Sequence, residues 1–322
     1  MQKSAQKIIV VLLLTLFLVF GAQAKLLVHY IDVGQGDAIL IQTPQEKNIL
    51  IDGGPRVAGD IVVNYLKEHN VATIDALIAT HPHEDHIGGL LTVLDVLPIK
   101  AVYYPKIAHP TKTYENFLIK TNLSGAKRIQ GRLGVEVGVD PSIKLIFLAP
   151  EDRNYEEVNH YSIVAKLTYG ETSFLFTGDT EVINEEKMLE NKANLQAEVL
   201  KVAHHGSRTS SSEAFLEAVD PDLAIISLGK DNSFGHPHQI VLDRLAQRDI
   251  TVLRTDELGD IVLVSDGKSI SIEPNDMMLV YVTPTGKKFH LVNCRMLRDN
   301  KIPLERKEAL LKGYEPCEIC KP

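Results

Sequence analysis

Four metal-capable side chains, His81, His83, Asp85 and His86, fall within the six residues His81-Pro82-His83-Glu84-Asp85-His86, directly after the apolar, strand-like run Leu77 to Thr80. Imidazole suits zinc and iron, aspartate supplies a hard oxygen, and the set is large enough to begin two adjacent cation sites. A polar surface loop with scattered histidines is the competing reading. Pro82 and the following Ile87-Gly88-Gly89 do mark a loop, but ligand density this high points to chemistry. The remaining ligands must come from elsewhere in the chain.

Two further segments offer them. Asp179 ends the apolar run Phe174-Leu175-Phe176-Thr177-Gly178-Asp179 where a turn begins. It could be a carboxylate bridging two cations, or the N-cap of a helix opening at Glu181. His204-His205-Gly206-Ser207 likewise closes an apolar run, Val199 to Ala203. Neighbouring side chains at a strand end point in opposite directions, so one histidine would bind metal and the other would face substrate or support the ligands.

All three cysteines lie near the C-terminus, where His290 and Cys294 form His-x3-Cys and Cys317 and Cys320 form Cys-x2-Cys. Both spacings suit a tetrahedral zinc site that leaves no open position for catalysis. The other reading, a Cys317–Cys320 disulfide, would leave Cys294 as an unpaired thiol in an oxidising compartment.

Short β-rich runs separated by Gly- and Asp-rich turns must carry these residues. Leu26 to Ile31, Ala38 to Thr43 and Asn48 to Ile51 read as a meander, Asp60 to Glu68 as a helix, Ile74 to Ala79 as the strand delivering the histidine cluster, and Leu90 to Val96 as a helix. The second half repeats the pattern. Ser162 to Tyr169 and Ser173 to Phe176 form a hairpin turned at Gly170-Glu171, followed by helices at Glu181 to Asn191, Glu213 to Val219 and Gln239 to Arg248, with strands at Leu223 to Ser227, Ile261 to Val264 and Ser269 to Ile272. Strands alternating with helices imply sheets covered by helices. The pattern breaks at Pro274-Asn275-Asp276, separating a domain over residues 25–275 from a small module over 280–322, in which Tyr281 to Lys288 reads as a hairpin turned at Thr283-Pro284-Thr285-Gly286.

The first 24 residues have the features of a secretory signal peptide: Lys3 and Lys7, the apolar Ile8 to Phe20, then Ala22-Gln23-Ala24. An uncleaved membrane anchor is the other reading, and no Cys follows to suggest a lipoprotein. Cleavage would remove two lysines and no acid, taking the formal net charge from -8 to -10. An acidic chain without tryptophan argues against broad, sequence-independent nucleic-acid binding. Bound divalent cations would reverse the field inside a site and still attract an anion.

The His81 to His86 cluster, Thr177-Gly178-Asp179 and His204-His205-Gly206-Ser207, in this order, resemble the metallo-β-lactamase-fold hydrolases over roughly Lys25 to Ile272. Asp32-Val33-Gly34-Gln35-Gly36-Asp37, Ile51-Asp52-Gly53-Gly54 and Asn159-His160-Tyr161-Ser162 narrow the resemblance to the hydrolase domain of competence-type DNA-uptake proteins. It implies an αββα sandwich of two sheets flanked by helices. It also implies that His81 and His83 hold one metal, that Asp85, His86 and His205 hold a second, that Asp179 bridges them, and that His204 is free for catalysis. Many members of the superfamily place a further histidine ligand where this chain has Asn159-His160, so either His160 restores that ligand or the first site lacks it. The C-terminal segment resembles small zinc modules at the ends of secreted bacterial nucleases and hydrolases.

The chemistry implied is hydrolysis by a metal-bound hydroxide, with Asp85 orienting it and His204 donating a proton or hydrogen-bonding developing charge. Asn159, Ser162, Ser207 and His236 are candidates for the substrate wall, with turn and capping roles as the alternative for the two serines. Two Zn2+ ions, or Mn2+ in their place, would serve catalysis, and one further Zn2+ would be structural. The leading function is a secreted phosphodiesterase or nuclease, with DNA as a substrate. The alternatives are a lactone, lactam or other ester hydrolase using the same site, or a DNA- or cell-wall-binding protein tethered by the module, whose Lys287, Lys288, Arg295, Arg298, Lys301, Arg306 and Lys307 make it locally basic. Metal analysis of the purified chain is expected to return about three zinc-like ions, two catalytic and one structural. A value near two would mean a half-filled catalytic site.

Overall fold

The computed structural model describes residues 24–273, 279–292, 294–297, 301–320 and 322, without the side chain of Lys307. Apart from Ala24, the leader segment lies outside the described residues, as do Pro274-Asn275-Asp276 and Arg298. The first half of the chain forms β1 (Leu26–Tyr30), β2 (Ile39–Gln42), β3 (Asn48–Ile51), α1 (Gly59–Glu68), β4 (Ala76–Ile78), α2 (Glu84–Ile87), α3 (Leu90–Val96), β5 (Ala101–Tyr104), α4 (Lys112–Leu123) and β6 (Lys127–Gln130). The second half forms β7 (Lys144–Ala149), β8 (Val164–Tyr169), β9 (Thr172–Phe176), α5 (Val182–Glu190), β10 (Val199–Lys201), α6 (Glu213–Val219), β11 (Leu223–Ile226), α7 (Gln239–Gln247), β12 (Thr251–Arg254), α8 (Thr255–Leu258), β13 (Ile261–Ser265) and β14 (Ile270–Ile272). An eight-stranded sheet runs β14-β13-β1-β2-β3-β4-β5-β6, and a six-stranded sheet runs β12-β11-β10-β9-β8-β7.

The two-residue period of the strands sorts the core into layers. Ile49 and Ile51 of β3 join Phe174 and Phe176 of β9 in one apolar cluster between the sheets. Leu50, with the opposite facing, packs with Val62 and Leu66 of α1 and Leu90 and Val93 of α3. Leu175 packs on the far side with Met188, Phe215, Leu216, Val241 and Leu245 of α5 to α7. The result is the expected αββα sandwich, because every central strand is buried on both faces and needs helices outside.

Both sheets carry parallel strands, β3 to β6 in one and β9 to β12 in the other. Segments leaving the C-terminal ends of such strands collect on one edge, the usual place for a site in α/β architecture. Backbone contacts hold the ligand segment there: Gly53 N–H donates to the His86 carbonyl at 2.8 Å, and Gly89 N–H to the Gly54 carbonyl at 2.9 Å. A Cβ on Gly89 would lie 1.9 Å from the Gly53 oxygen, and one on Gly36, at φ +141°, would lie 2.2 Å from the Asp85 oxygen. Only glycine permits these approaches.

Several elements depart from the sequence reading. Strand β10 stops at Lys201 because His204 and His205 adopt left-handed φ of 51° and 53°. The helix α4 was not legible because its apolar residues ring it: Tyr114 and Phe117 are buried, while Ile119 and Leu123 face solvent. The C-terminal segment forms β15 (Leu279–Val282), β16 (Lys288–Phe289), β17 (Ile302–Glu305), α9 (Arg306–Leu311) and β18 (Glu315–Pro316). Here β15 pairs with β17, and the return from the Thr283–Gly286 turn contributes only the bridge between Tyr281 and His290, which corrects the simple hairpin. This segment covers the edge strand β12 across a cleft of about 580 Å³ lined by Thr251, Val252, Arg254, Val292 and Lys301, so the edge is not left open to pairing.

Phe147 is fully buried between the sheets, its ring 5.7 Å from that of Tyr103. Phe147→Ala is expected to cost about 3–5 kcal/mol in a denaturant titration. A loss below about 1 kcal/mol would mean that this layer is not close-packed.

Candidate metal centre

Asp179, 2% exposed, sits at the middle of the cluster. Its Oδ1 is 3.2 Å from His86 Nε2 and 3.5 Å from His205 Nε2, while its Oδ2 is 3.8 Å from His81 Nε2. Its two oxygens therefore face different imidazole sets, as a bridging carboxylate requires. The capping alternative fails: Glu181 occupies the N-cap position of α5, and the Asp179 carboxylate points at histidines. His81 Nε2 and His83 Nδ1 lie 3.0 Å apart, and Asp85 Oδ2 is 3.4 Å from His205 Nε2. Two ligand groups result, His81 with His83 and Asp179, and Asp85 with His86, Asp179 and His205.

These residues fit divalent cations. His86 Nε2, His205 Nε2 and Asp179 Oδ1 are buried, converge on one point and lack a hydrogen-bond partner among the described residues. Buried polar atoms are otherwise almost always paired, and a cation between them would satisfy all three.

The far side of each imidazole is held. Asp52, fully buried, accepts hydrogen bonds from Thr80 N–H at 2.8 Å and Thr80 Oγ1–H at 2.6 Å, and its Oδ2 is 2.8 Å from His86 Nδ1. His205 Nδ1 donates to the Ser227 carbonyl at 2.8 Å and lies 3.4 Å from Asp37 Oδ1. Lys201, also fully buried, donates from Nζ to Asp37 Oδ2 at 2.6 Å. Such partners lock ring orientation and tautomer. Burial disfavours charge on His86, but Asp179, Asp52 and Asp85 outweigh it and hold its pKa well above the usual value. Likewise His205 rises to about 10 against burial, under Asp179 and Asp37. Burial opposes ionisation of Asp37, yet Lys201 and His205 bring its carboxyl down to about 2. Against burial, the imidazoles likewise hold the carboxyls of Asp85 and Asp179 below the usual range, whereas burial raises that of Asp52.

His204 stands apart from the ligand groups. Its Nε2 is 3.8 Å from Asp179 Oδ2 and its Nδ1 3.4 Å from Glu181 Oε1, and it is partly exposed. Hydrogen bonding to His204, against burial and with help from Thr209, holds the Glu181 carboxyl down to about 2. Strand alternation does not separate His204 from His205; their consecutive left-handed residues do. His160 turns away from the centre, its Nε2 3.0 Å from Glu181 Oε2.

The substrate-wall candidates divide. The Asn159 Nδ2 lies 3.5 Å from His204, and the half-buried His236 has its ring 5.7 Å from that of His204 and stacked on Phe234. Ser162 and Ser207 do not line an open face: Ser162 is fully buried and its Oγ accepts from Asp179 N–H at 3.1 Å, and Ser207, 5% exposed, bonds Thr209 Oγ1 at 3.1 Å. Both are turn-fixing hydroxyls. Sequence reading assigned no role to Asp37, Asp52, Thr80, Glu181 or Lys201. A signal existed for Lys201, a lysine inside an otherwise apolar strand.

At the C-terminus all three cysteines are free thiols, which corrects the disulfide reading. His290 Nδ1 is 3.3 Å from Cys294 Sγ, Cys294 Sγ is 3.9 Å from Cys317 Sγ, and with Cys320 they form a four-ligand group able to hold a metal.

Asp52→Asn is expected to weaken cation binding at the centre by about 10- to 100-fold in a chelator competition, with the far-ultraviolet circular dichroism unchanged. Unaltered affinity would show that Asp52 does not orient His86. Separately, Cys320→Ser should remove about one equivalent of zinc from the chain and leave cation binding by the Asp179 groups intact. Retention of full zinc content would exclude a thiolate site.

The chain matches the family model described as metallo-beta-lactamase superfamily over residues 31–230. It is 33% identical over 251 residues to ComE operon protein 3 of Bacillus subtilis, a match covering 73% of this chain and 32% of that protein. It is also 33% identical over 230 residues to competence protein ComA of Neisseria gonorrhoeae, covering 71% and 30% respectively. The chain thus spans about a third of the length of these curated relatives. Among solved structures, a CmlA beta-hydroxylase mutant superposes with a TM-score of 0.50 at 15% identity, covering 74% of this chain and 53% of that one, a likeness of fold alone. Ligand groups, fold and family model agree: the chain belongs to the metallo-β-lactamase superfamily of metal-dependent hydrolases.

Proposed function

We propose that this chain is an extracytoplasmic phosphodiesterase, with nucleic acid as its substrate class. The observation that carries this reading is the charge at the mouth of the centre. Although the whole chain is acidic, Arg56, Lys106, Arg132, Arg208 and Lys230 are exposed on segments leaving β3, β5, β6, β10 and β11 at the site edge, and none forms an ion pair among the described residues. Exposed acids on this edge are Glu84 after β4, Asp152, Glu156 and Glu157 after β7, and Asp231 beside Lys230 after β11. Unpaired cations around a dinuclear pocket favour a polyanion over a neutral lactone or lactam. The competence proteins among the relatives support the same class. The Met1 to Ala24 leader supports export.

The first cation would be held by His81, His83 and Asp179, the second by Asp85, His86, His205 and Asp179. Bound there, divalent cations lower the pKa of water and neutralise charge on phosphoryl oxygens. Asp85, whose Oδ2 lies 3.4 Å from His205 Nε2, would orient the attacking water from the second-cation side. His204, braced by Glu181 and beside Asn159, faces the opposite side and donates a proton to the leaving oxygen. The paired Lys201 and Asp37 hold His205 in place without meeting substrate.

Hydrolysis of bis(p-nitrophenyl) phosphate and of single-stranded DNA, with Zn2+ or Mn2+ supplied, is expected. Asp179→Ala should lower the rate by at least about 10³-fold, since it removes a ligand from both cations. If no diester is cleaved under any metal while nitrocefin or a homoserine lactone is, the carbonyl-hydrolase reading replaces this one.

A further inference from the structure

The segment joining β11 to α7 leaves the six-stranded sheet at the site edge and carries Phe234. Phe234 is 61% exposed, whereas every other described Phe and Tyr is buried or half-buried. A single exposed apolar side chain ordinarily calls for no explanation. This one ends a row of rings that leads to the metal centre. Phe234 is stacked on His236, with centroids 5.6 Å apart and planes at 20°, and the His236 ring lies 5.7 Å from that of His204 and 6.3 Å from that of His205. One face of Phe234 is therefore backed by an imidazole, and the other is open to a flat partner.

The segment that carries these rings is held to the ligand-bearing segments. His236 N–H donates to Asn232 Oδ1 at 3.0 Å, and Asn232 Nδ2 donates to the His236 carbonyl at 2.7 Å and to the Gly229 carbonyl at 3.0 Å. At its two ends, Gly229 N–H donates to Gln35 Oε1 at 3.2 Å, and His238 N–H donates to the Gly206 carbonyl at 2.9 Å. A Cβ on Gly206, at φ +82°, would lie 2.6 Å from Pro237 Cβ, so only glycine lets the segment close this tightly behind His205. Exposed cations flank it. Lys230 lies at its start, next to Asp231, and Arg208 adjoins its end, where the Arg208 N–H donates to His238 Nδ1 at 3.2 Å.

We infer that Phe234, backed by His236, is a stacking platform for the nucleobase next to the phosphate at the centre, which makes a single strand the fitting form of the substrate. Every base offers a flat face, so such a platform tolerates any sequence while cations meet the backbone. In a duplex the neighbouring pairs cover both faces of each base, and reaching Phe234 would require pulling the base out of its stack. The inference rests on the phosphodiesterase reading above.

Two measurements on the zinc-loaded full chain test it: cleavage of an oligothymidylate and of the same strand made abasic, and binding of their nuclease-resistant phosphorothioate forms followed by fluorescence anisotropy. Phe234→Ala should weaken binding of the base-bearing strand, and lower its kcat/KM mainly through KM, by at least about five-fold. Phe234→Trp, which keeps a ring, should recover most of that loss. Removing the bases should cost the wild type a similar factor, and Phe234→Ala should add no further loss on the abasic strand. Zinc content equal to that of the wild type checks that each variant is folded. No loss in Phe234→Ala, or an equal loss on base-bearing and abasic strands, would overturn the platform. A wild type that binds the strand through Phe234 but cleaves no diester would remove the phosphodiesterase reading and leave the platform standing, and one that neither binds nor cleaves would overturn both.

Discussion

A buried carboxylate facing two imidazole sets at once is the constraint around which this molecule is organised. Asp179 lies at 2% exposure with its oxygens turned toward His86 and His205 on one side and His81 on the other. Taking an anion out of water is costly unless it is paired and hydrogen-bonded. Its surroundings meet that demand from every direction: imidazoles from the segments after β4 and β10, and Ser162 Oγ on its backbone N–H. Neither sheet alone could do so, because His81, His83 and His86 come from one and Asp179 and His205 from the other.

Behind the ligands, the same logic continues into the core. Asp52, Asp37 and Lys201 are ionisable groups at 0–2% exposure, each bound to a partner that orients His86 or His205. A buried ion pair contributes little net stability. Here Lys201 and Asp37 set the position of His205 from within the sandwich, across 164 residues of sequence separation. Glycines at 36, 53 and 89 let backbone approach backbone beneath the cluster, so that the ligand segment is clamped by carbonyls rather than by side chains. The centre is therefore rigid at its base and open at its mouth, where His204, Asn159 and His236 stand.

Much of this was legible in one dimension. The ligand-dense hexapeptide, Asp179 at a strand end and the paired histidines at 204 and 205 announce themselves because metal chemistry permits few residue types and places them at strand ends. Strands such as β3 and β9 were legible because burial on both faces leaves uninterrupted apolar runs. Less visible were β5, β6, β7, β12 and α4, which are short or carry apolar residues without a clear period. Ser162 and Ser207, read as either substrate-wall or turn residues, are buried turn-fixers, since a serine reads the same in sequence whether it bonds backbone or substrate.

The sequence by itself determined the ligand types and their order, and the resemblance those motifs carry gave the superfamily and the αββα class, because each depends on residue identity within short segments. Tertiary structure alone decided which oxygen of Asp179 faces which imidazole, that His160 belongs to Glu181, and that the three cysteines are thiols clustered with His290. Most of those pairings join residues far apart in sequence, up to nearly a hundred positions for His81 and Asp179. They depend on how two sheets twist and pack, a property of the whole core that no local pattern encodes.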